Sequence, residues 1–118
     1  MVMNVSDMKN KDYEAIKREV QSLKLVCQEQ VLKVIIETDL LTVDEIKKAC
    51  ELCAQAGADI VKTSTGFVKN GVGAKVDDVK LMSEIVSTHG MGVKASGGIK
   101  TKEQAIALVN AEIGRAHV

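Results

Sequence analysis

Two lysines lie at equivalent places in the chain, each at the end of a short apolar run. Lys62 ends the apolar part of ADIVKTSTGF (58–67), and Lys94 ends that of GVKASGGIKT (92–101). An isolated buried ammonium group is strongly unfavourable unless it is paired or neutralised. Each lysine therefore either extends to solvent along its aliphatic stem or takes part in chemistry.

Two neighbouring lysines are suited to imine chemistry. An ordinary lysine amine is almost fully protonated at neutral pH. Burial and a second cation both disfavour its charged form and so increase the share of neutral nucleophile. A neutral amine attacks a carbonyl group to form an imine, which accepts the electron pair released when a nearby carbon–carbon bond breaks. Lys62 and Lys94 are therefore the candidate catalytic residues.

The residues that follow each lysine are suited to phosphate binding. Thr65 and Gly66 come shortly after the first lysine, and Gly97 and Gly98 come shortly after the second. Hydroxyl groups and uncovered backbone N–H groups at loop–helix junctions bind phosphate without a dedicated cation. Taken singly, each junction is also compatible with a surface lysine followed by a turn. The presence of two such junctions on consecutive segments favours a site.

Strand-like and helix-like segments alternate along the whole chain. The strand-like segments are MVMNVS (1–6), VLKVIIET (31–38), ADIVKTST (58–65) and GVKAS (92–96), with helical periods between them. TVDE (42–45) and TKEQ (101–104) are capping boxes that open helices, and Gly57 ends the helix that begins after the first box. The alternation predicts an α/β fold with about four consecutive βα units and a parallel sheet.

Two architectures fit this alternation: a doubly wound open sheet and part of a (β/α)₈ barrel. Both build active sites at the C-terminal ends of parallel strands, where the two lysines fall. The strand period of two places Ile60, Lys62 and Ser64 on one face. In a barrel, Ile35, Ile60 and Val93 are expected to line the interior.

Composition and charge narrow the class of protein. The 118 residues include 16 basic and 16 acidic residues, so net charge indicates neither a nucleic-acid nor a membrane partner. No apolar run approaches the length of a membrane span, and MVMNVSDMKNKD lacks the layout of a signal peptide. Three cysteines, an odd number, favour reduced thiols and a cytoplasmic location. Cys50 and Cys53 are interpreted as small apolar residues of a helix rather than as a redox pair.

The motifs VLKVIIET, GADIVKTSTGF and GVKASGGIKT, in this order, resemble the deoxyribose-phosphate aldolase family. The resemblance extends over residues 1–111 and implies a (β/α)₈ barrel. It also implies a class I aldolase without cofactor or metal, which cleaves 2-deoxy-D-ribose 5-phosphate to glyceraldehyde 3-phosphate and acetaldehyde. By this resemblance Lys62 is the Schiff-base lysine, and Lys94 perturbs it and takes part in proton transfer. The positions matched near the substrate phosphate are Thr65, Gly66, Gly97 and Gly98.

The chain departs from the family pattern at both ends. A complete barrel needs roughly 200–250 residues, so residues 1–111 are expected to be a partial barrel. The proton-relay aspartate of the family would fall just before Met1, and it is expected to be missing together with the N-terminal strands. The last seven residues, EIGRAHV (112–118), match none of the family pattern. A common short-read sequencing adapter encodes this heptapeptide in one frame, so residues 112–118 are expected to be a non-native tail.

Other interpretations stay open beside the aldolase. A phosphate-binding barrel isomerase or synthase would use the same glycine loops without an imine, and a non-catalytic half-barrel would associate with itself. Lys33 is interpreted as a supporting residue that neighbours Glu37 on one strand face, Asp39 as a loop residue, and His89 as a helix C-terminal residue. The expected partners are a phosphorylated sugar and a second copy of the chain, with neither nucleic acid nor membrane.

Overall fold

The fold is built on a parallel β-sheet. The computed structural model describes residues 1–112 and 116–117 of the chain. Its strands are β1 Lys33–Ile35, β2 Ile60–Lys62, β3 Gly92–Lys94 and β4 Ala116–His117, in the spatial order β1-β2-β3-β4. Each strand therefore lies beside the strand that follows it in the chain, as in a succession of βα units.

Helices connect the strands and pack on one another in chain order. They are α1 Val5–Lys9, α2 Tyr13–Cys27, α3 Val43–Ala56, α4 Val76–Val86 and α5 Lys102–Glu112, with 3₁₀ turns at Thr38–Leu40 and Ser87–His89. Helix α2 contacts α3, α3 contacts α4, and α4 contacts α5. A doubly wound sheet would reverse its strand order and carry helices on both faces. The sequential strand order and the continuous helix layer are those of a barrel segment.

Alternate strand residues face the helix layer. Val34, Val61 and Val93 are register partners on β1, β2 and β3, and all three are completely buried. They belong to one apolar core with helix residues that include Ile16, Val20, Ile46, Cys50, Val79, Met82 and Val86. The expectation that Val93 lines the barrel interior with Ile35 and Ile60 is wrong, because its register with Val61 places it on the helix-facing side.

The first predicted strand is much shorter in the structure than in the prediction. Val2 forms a single parallel bridge to Ile35, and the Met3 N–H donates to the Ile35 carbonyl at 2.8 Å. The Asn4 side chain then accepts the Asp7 N–H at 3.0 Å and caps the short helix α1. The extended conformation therefore ends at Asn4, because an N-cap residue commits the residues after it to a helical turn.

Both predicted capping boxes are confirmed. The Thr42 N–H donates to Glu45 Oε1 at 2.8 Å, and the Glu45 N–H donates to Thr42 Oγ1 at 3.2 Å, which begins α3. Thr101 and Gln104 exchange the same pair of bonds, at 3.2 and 3.1 Å, before α5. Gly57 ends α3 with a left-handed φ of +89°, as its position after the helical period predicts.

The predicted non-native tail falls mostly outside the described residues. Residues 113–115 and 118 are not among them. The backbone of Ala116–His117 pairs in parallel with Val93 and Lys94. The non-native origin of 112–118 stays a prediction.

Candidate active site

Lys62 and Lys94 are the last residues of two neighbouring strands. They are register partners, so their backbones lie about 4.8 Å apart and their side chains leave the same face of the sheet. Ile35 extends this row on β1. Both lysines are partly buried, which is less than the full burial that the apolar run before Lys62 suggests. The structure thus brings the two predicted residues side by side at the C-terminal edge of the sheet.

Hydrogen bonds join the segments that follow the two lysines. Thr63 Oγ1 donates to the Ser96 carbonyl at 3.0 Å and accepts the Ser96 N–H at 3.0 Å. Ser96 Oγ donates to the Ser64 carbonyl at 2.8 Å. Thr63 and Ser64 are buried, so these bonds are shielded from water. The relative position of the two lysine junctions is therefore fixed by side-chain hydroxyl groups as well as by the sheet.

Glycines allow the two junction loops to touch through their backbones. A Cβ atom at Gly73 would collide with the backbone of Gly97, and one at Gly98 would collide with the carbonyl of Val72. Gly97 and Gly98 also have left-handed φ values of +81° and +70°. The Ala74 N–H donates to the Gly97 carbonyl at 3.1 Å. No larger residue fits these positions without moving one loop away from the other.

Three glycine N–H groups are available at this edge. Within residues 1–112 and 116–117, the N–H groups of Gly66, Gly97 and Gly98 donate to no acceptor. Gly66 is exposed, has a φ of +87°, and has no atom within 4 Å of where a Cβ would stand. Uncovered N–H groups on left-handed glycines are the donors from which proteins build anion sites. All four predicted phosphate-binding residues lie in these two loops, and three of them offer free backbone donors.

Glu37 lies next to the Lys62 junction, and no pattern in the sequence indicated its contacts. It is buried, and its backbone adopts the left-handed conformation with φ of +62° and ψ of +67°. Both carboxylate oxygens bind Thr65: Oε1 accepts the backbone N–H at 3.0 Å, and Oε2 accepts the hydroxyl at 2.6 Å. Thr65 Oγ1 in turn accepts the Phe67 N–H at 3.2 Å. Glu37 therefore fixes the turn directly after the Lys62 junction.

Asp39 binds the other end of the same loop. Its Oδ1 accepts the Val72 N–H at 3.1 Å, and its Oδ2 accepts the Gly73 N–H at 2.9 Å. The interpretation of Asp39 as an ordinary loop residue is therefore incomplete. The available signal was the placement of two acidic residues, Glu37 and Asp39, directly after a buried strand, where parallel sheets position loops.

Among the described residues, two further candidates of the sequence form no hydrogen bond or ion pair with the lysine pair. Lys33 is exposed on β1, two residues before Ile35 on the same strand face. Within the part of the chain that the structure describes, no hydrogen bond or ion pair joins Lys33 to Glu37, and their expected neighbourhood stays a prediction. His89 ends the 3₁₀ turn after α4 and precedes Gly90, as predicted.

Cys50 and Cys53 are buried in the middle of α3, as the apolar interpretation requires. Burial raises the pKa of Cys53 to about 12 and raises the pKa of Cys50 further above its usual range. Thiols with such pKa values are not nucleophiles at neutral pH.

A cavity of about 450 Å³ lies behind the lysine row rather than in it. It runs between the 72–76 segment and α5, and its lining includes Val72, Val76, Ile99 and Leu108. Gly98 is the one predicted site residue that reaches it, and neither lysine does. Its apolar lining does not suit a phosphorylated sugar, so the lysine row is the better candidate site.

Comparisons with known proteins agree on one family. The family model described as DeoC/LacD family aldolase matches residues 1–116. The deoxyribose-phosphate aldolase of Finegoldia magna is 51% identical over 109 residues, which are 92% of this chain and 50% of that protein. The chain therefore spans about half the length of the curated relatives it matches.

Solved structures agree with this result. The crystal structure of a putative deoxyribose-phosphate aldolase from Coccidioides immitis has a TM-score of 0.91 and 42% identity, and covers 100% of this chain and 47% of that one. The tetrameric deoxyribose phosphate aldolase from Aeropyrum pernix has a TM-score of 0.77 and 34% identity, and covers 90% of this chain and 45% of that one. The prediction of a partial (β/α)₈ barrel is confirmed, and the chain belongs to the DeoC/LacD aldolase family.

Proposed function

We propose that the complete barrel to which this chain contributes is a deoxyribose-phosphate aldolase. Its reaction is the reversible cleavage of 2-deoxy-D-ribose 5-phosphate to D-glyceraldehyde 3-phosphate and acetaldehyde. The observation that carries the proposal is the register pairing of Lys62 with Lys94 at the C-terminal ends of β2 and β3. The relatives that match most of this chain are named for that activity.

Lys62 is the nucleophile in this proposal. Its neutral amine attacks the C1 aldehyde, and the resulting carbinolamine takes up a proton and loses water to leave an iminium ion. The C3 hydroxyl then loses its proton, the C2–C3 bond breaks, and its electron pair moves into the iminium group to form an enamine. Glyceraldehyde 3-phosphate leaves, the enamine is protonated at C2, and water releases acetaldehyde and the free amine.

Lys94 is the proton-transfer residue in the same reaction. It leaves the neighbouring strand on the same face as Lys62, from where its amine moves protons during imine formation and hydrolysis. This role agrees with the partial burial of both side chains, which keeps them near substrate without isolating them from solvent.

The substrate phosphate binds at the two glycine loops. The free N–H groups of Gly66, Gly97 and Gly98 are the donors, and Thr65 belongs to the same turn. Backbone donors carry no net charge and need no reorganisation, so they bind a phosphate dianion without a further cation in contact with it. Because the loops bind the phosphate, both lysines stay available to the aldehyde end of the sugar.

The cysteines and one relative support a location and an assembly for the complete protein. The described cysteines, Cys27, Cys50 and Cys53, are free thiols, which supports a cytoplasmic location. No helix among the described residues is long and apolar enough to cross a membrane. A homo-oligomer is supported by the tetrameric relative from Aeropyrum pernix.

The test uses a fused barrel, defined as residues 1–111 of this chain in place of the matched segment of the Finegoldia magna relative. Cleavage of 2-deoxy-D-ribose 5-phosphate is followed by coupled detection of glyceraldehyde 3-phosphate. We expect turnover that Lys62→Arg lowers by about 10³-fold or more, because the imine is lost. Lys80→Arg, on an exposed lysine of α4, serves as the matched control. A folded fused barrel that binds phosphate but cleaves nothing would favour the isomerase or synthase alternative.

A further inference from the structure

Glu37 accepts hydrogen bonds from both donors of Thr65, which limits the contacts that Thr65 can make with a phosphate. Its backbone N–H donates to Glu37 Oε1 at 3.0 Å, and its hydroxyl donates to Glu37 Oε2 at 2.6 Å. A hydroxyl has one proton to donate. Neither Thr65 donor is therefore available to an anion while Glu37 binds it. The donors that remain in this turn come from Gly66 and the residues after it.

The backbone of Glu37 is held in a conformation that a non-glycine residue seldom adopts. Its φ and ψ of +62° and +67° are left-handed, which is unfavourable for a residue with a Cβ. The residues on either side stay paired with β2: the Ile36 N–H donates to the Lys62 carbonyl at 3.0 Å, and the Thr38 N–H donates to the Thr63 carbonyl at 2.9 Å. Backbone strain maintained by its surroundings is concentrated at functional sites.

The contacts of the Glu37 carboxylate suit a residue that positions the Thr65 turn rather than one that binds phosphate itself. A carboxylate facing a phosphate would repel it, whereas here Glu37 is buried and both its oxygens bind the partly buried Thr65. The hydroxyl of Thr65 also accepts the Phe67 N–H at 3.2 Å. Both sides of Gly66 are thus fixed, and the φ of +87° at Gly66 is set between them.

We propose that Glu37 is a positioning residue for phosphate recognition: it fixes the turn at Thr65 so that the Gly66 N–H is directed at the substrate phosphate. Thr65 then contributes to binding through this turn rather than as a direct ligand. The inference rests on the proposed function for its substrate, a phosphorylated sugar. This role of Glu37 is separate from the roles proposed for Lys62, Lys94 and the glycine loops.

Glu37→Gln in the fused barrel tests the proposal. The amide keeps the shape but accepts from only one of the two Thr65 donors and removes a charge-assisted bond. We expect KM for 2-deoxy-D-ribose 5-phosphate to rise about tenfold or more, with kcat changed less than about threefold. Unphosphorylated 2-deoxyribose should lose about fivefold less in kcat/KM, because it has no phosphate to misplace. Equal losses on the two sugars, or no loss on either, overturn the proposal.

Two further variants separate positioning from general destabilisation. Thr65→Val removes the hydroxyl that Glu37 binds, so the double variant with Glu37→Gln should be little worse than either single variant. Glu45→Gln removes a carboxylate from the same part of the chain, where it bonds Thr42 and Lys9, and should leave the preference for the phosphorylated sugar unchanged. Additive losses from Glu37→Gln and Thr65→Val contradict the proposed mechanism.

Calorimetric titration with inorganic phosphate makes the test independent of the aldol reaction. The fused barrel should bind phosphate, and Glu37→Gln should weaken that binding about tenfold or more. If phosphate binding weakens but the parent barrel cleaves neither sugar, the proposed function fails and the role of Glu37 stands. If cleavage is present and phosphate binding is unchanged in Glu37→Gln, the role of Glu37 fails and the proposed function stands.

Discussion

Lys62 is only partly buried, and its register partner is a second lysine. The register holds the two backbones side by side, so a substrate that reaches one lysine also meets the other. We therefore expect the chemistry of this site to depend on the pair.

Replacement of Lys94 tests this dependence. In the fused barrel, Lys94→Leu should lower the cleavage rate by about 10²–10⁴-fold, because a proton-transfer group is lost. Initial rates of cleavage at saturating substrate measure the loss. Lys80→Leu, on an exposed lysine of α4, is the control, and full activity of Lys94→Leu contradicts the role.

Residue types alone revealed the lysines but not the acids that support them. Lys62 and Lys94 stand out because an ammonium group at the end of an apolar run is unfavourable. Glu37 and Asp39 look like ordinary polar residues after a strand. Their roles depend on which distant N–H groups reach them, those of Thr65 and Val72 among others, and no local pattern encodes these contacts.

At the scale of elements, the sequence predicted the helices and the parallel order well and the strand lengths poorly. Capping boxes and Gly57 are local signals, so the bounds of α3 follow from them. The strand-like run at 31–38 yields a three-residue strand, because Glu37 turns left-handed and Thr38 enters a 3₁₀ turn. Those changes depend on tertiary bonds to the next loop, which override strand propensity.

An ion pair between Lys24 and Asp59 joins the end of α2 to the start of β2. Asp59, just before β2, accepts the Lys24 ammonium group at 2.6 Å and the Leu32 N–H at 2.8 Å. Burial alone would raise the pKa of Asp59, but these two bonds outweigh it and hold the pKa below its usual range. The end of α2, the start of β1 and the start of β2 thus meet at one carboxylate.

Asp59→Asn should therefore destabilise the fused barrel in a pH-dependent way. A carboxylate with a depressed folded-state pKa contributes stability above its unfolded pKa of about 3.9, and loses it as pH falls through the lower folded value. We expect a loss of about 1 kcal/mol at pH 7 that shrinks towards zero as pH falls through the lowered pKa of the folded state. Urea unfolding at a series of pH values from neutral to acidic measures it. Exposed Glu29→Gln is the control, and a pH-independent loss contradicts the assignment.

At the scale of the whole molecule, the chain presents one half of a closed barrel. Outside β1 the sheet continues as residues 1–3, which pair with Lys33–Ile35 through the Val2–Ile35 bridge and three hydrogen bonds. Within the described residues, the outer side of this short segment is an open edge. Open edges and an uncovered interior face are unfavourable in water. Large apolar side chains are also exposed, among them Leu25, Val26 and Phe67. The second half of a barrel, or another copy of the chain, would cover such surfaces.

The 118-residue chain by itself should have little or no aldolase activity. It holds both lysines, but groups that act as a unit lose most of their effect when part of the unit is missing. A retro-aldol assay on the purified chain should show turnover at least about 10³-fold below the fused barrel. Light scattering on the same sample reports whether copies associate. Turnover within about tenfold of the fused barrel would show that half a barrel suffices for the chemistry.

Covalent trapping at Lys62 tests the central claim most directly. The fused barrel is treated with acetaldehyde and borohydride, which reduces an imine to a stable secondary amine. Peptide mass spectrometry should then find one added ethyl group on Lys62 and none on Lys33 or, at equal exposure time, on Lys94. Lys62→Arg should abolish the adduct. Modification of Lys94 in preference to Lys62, or equal modification of exposed lysines with no preference for either, would contradict the account.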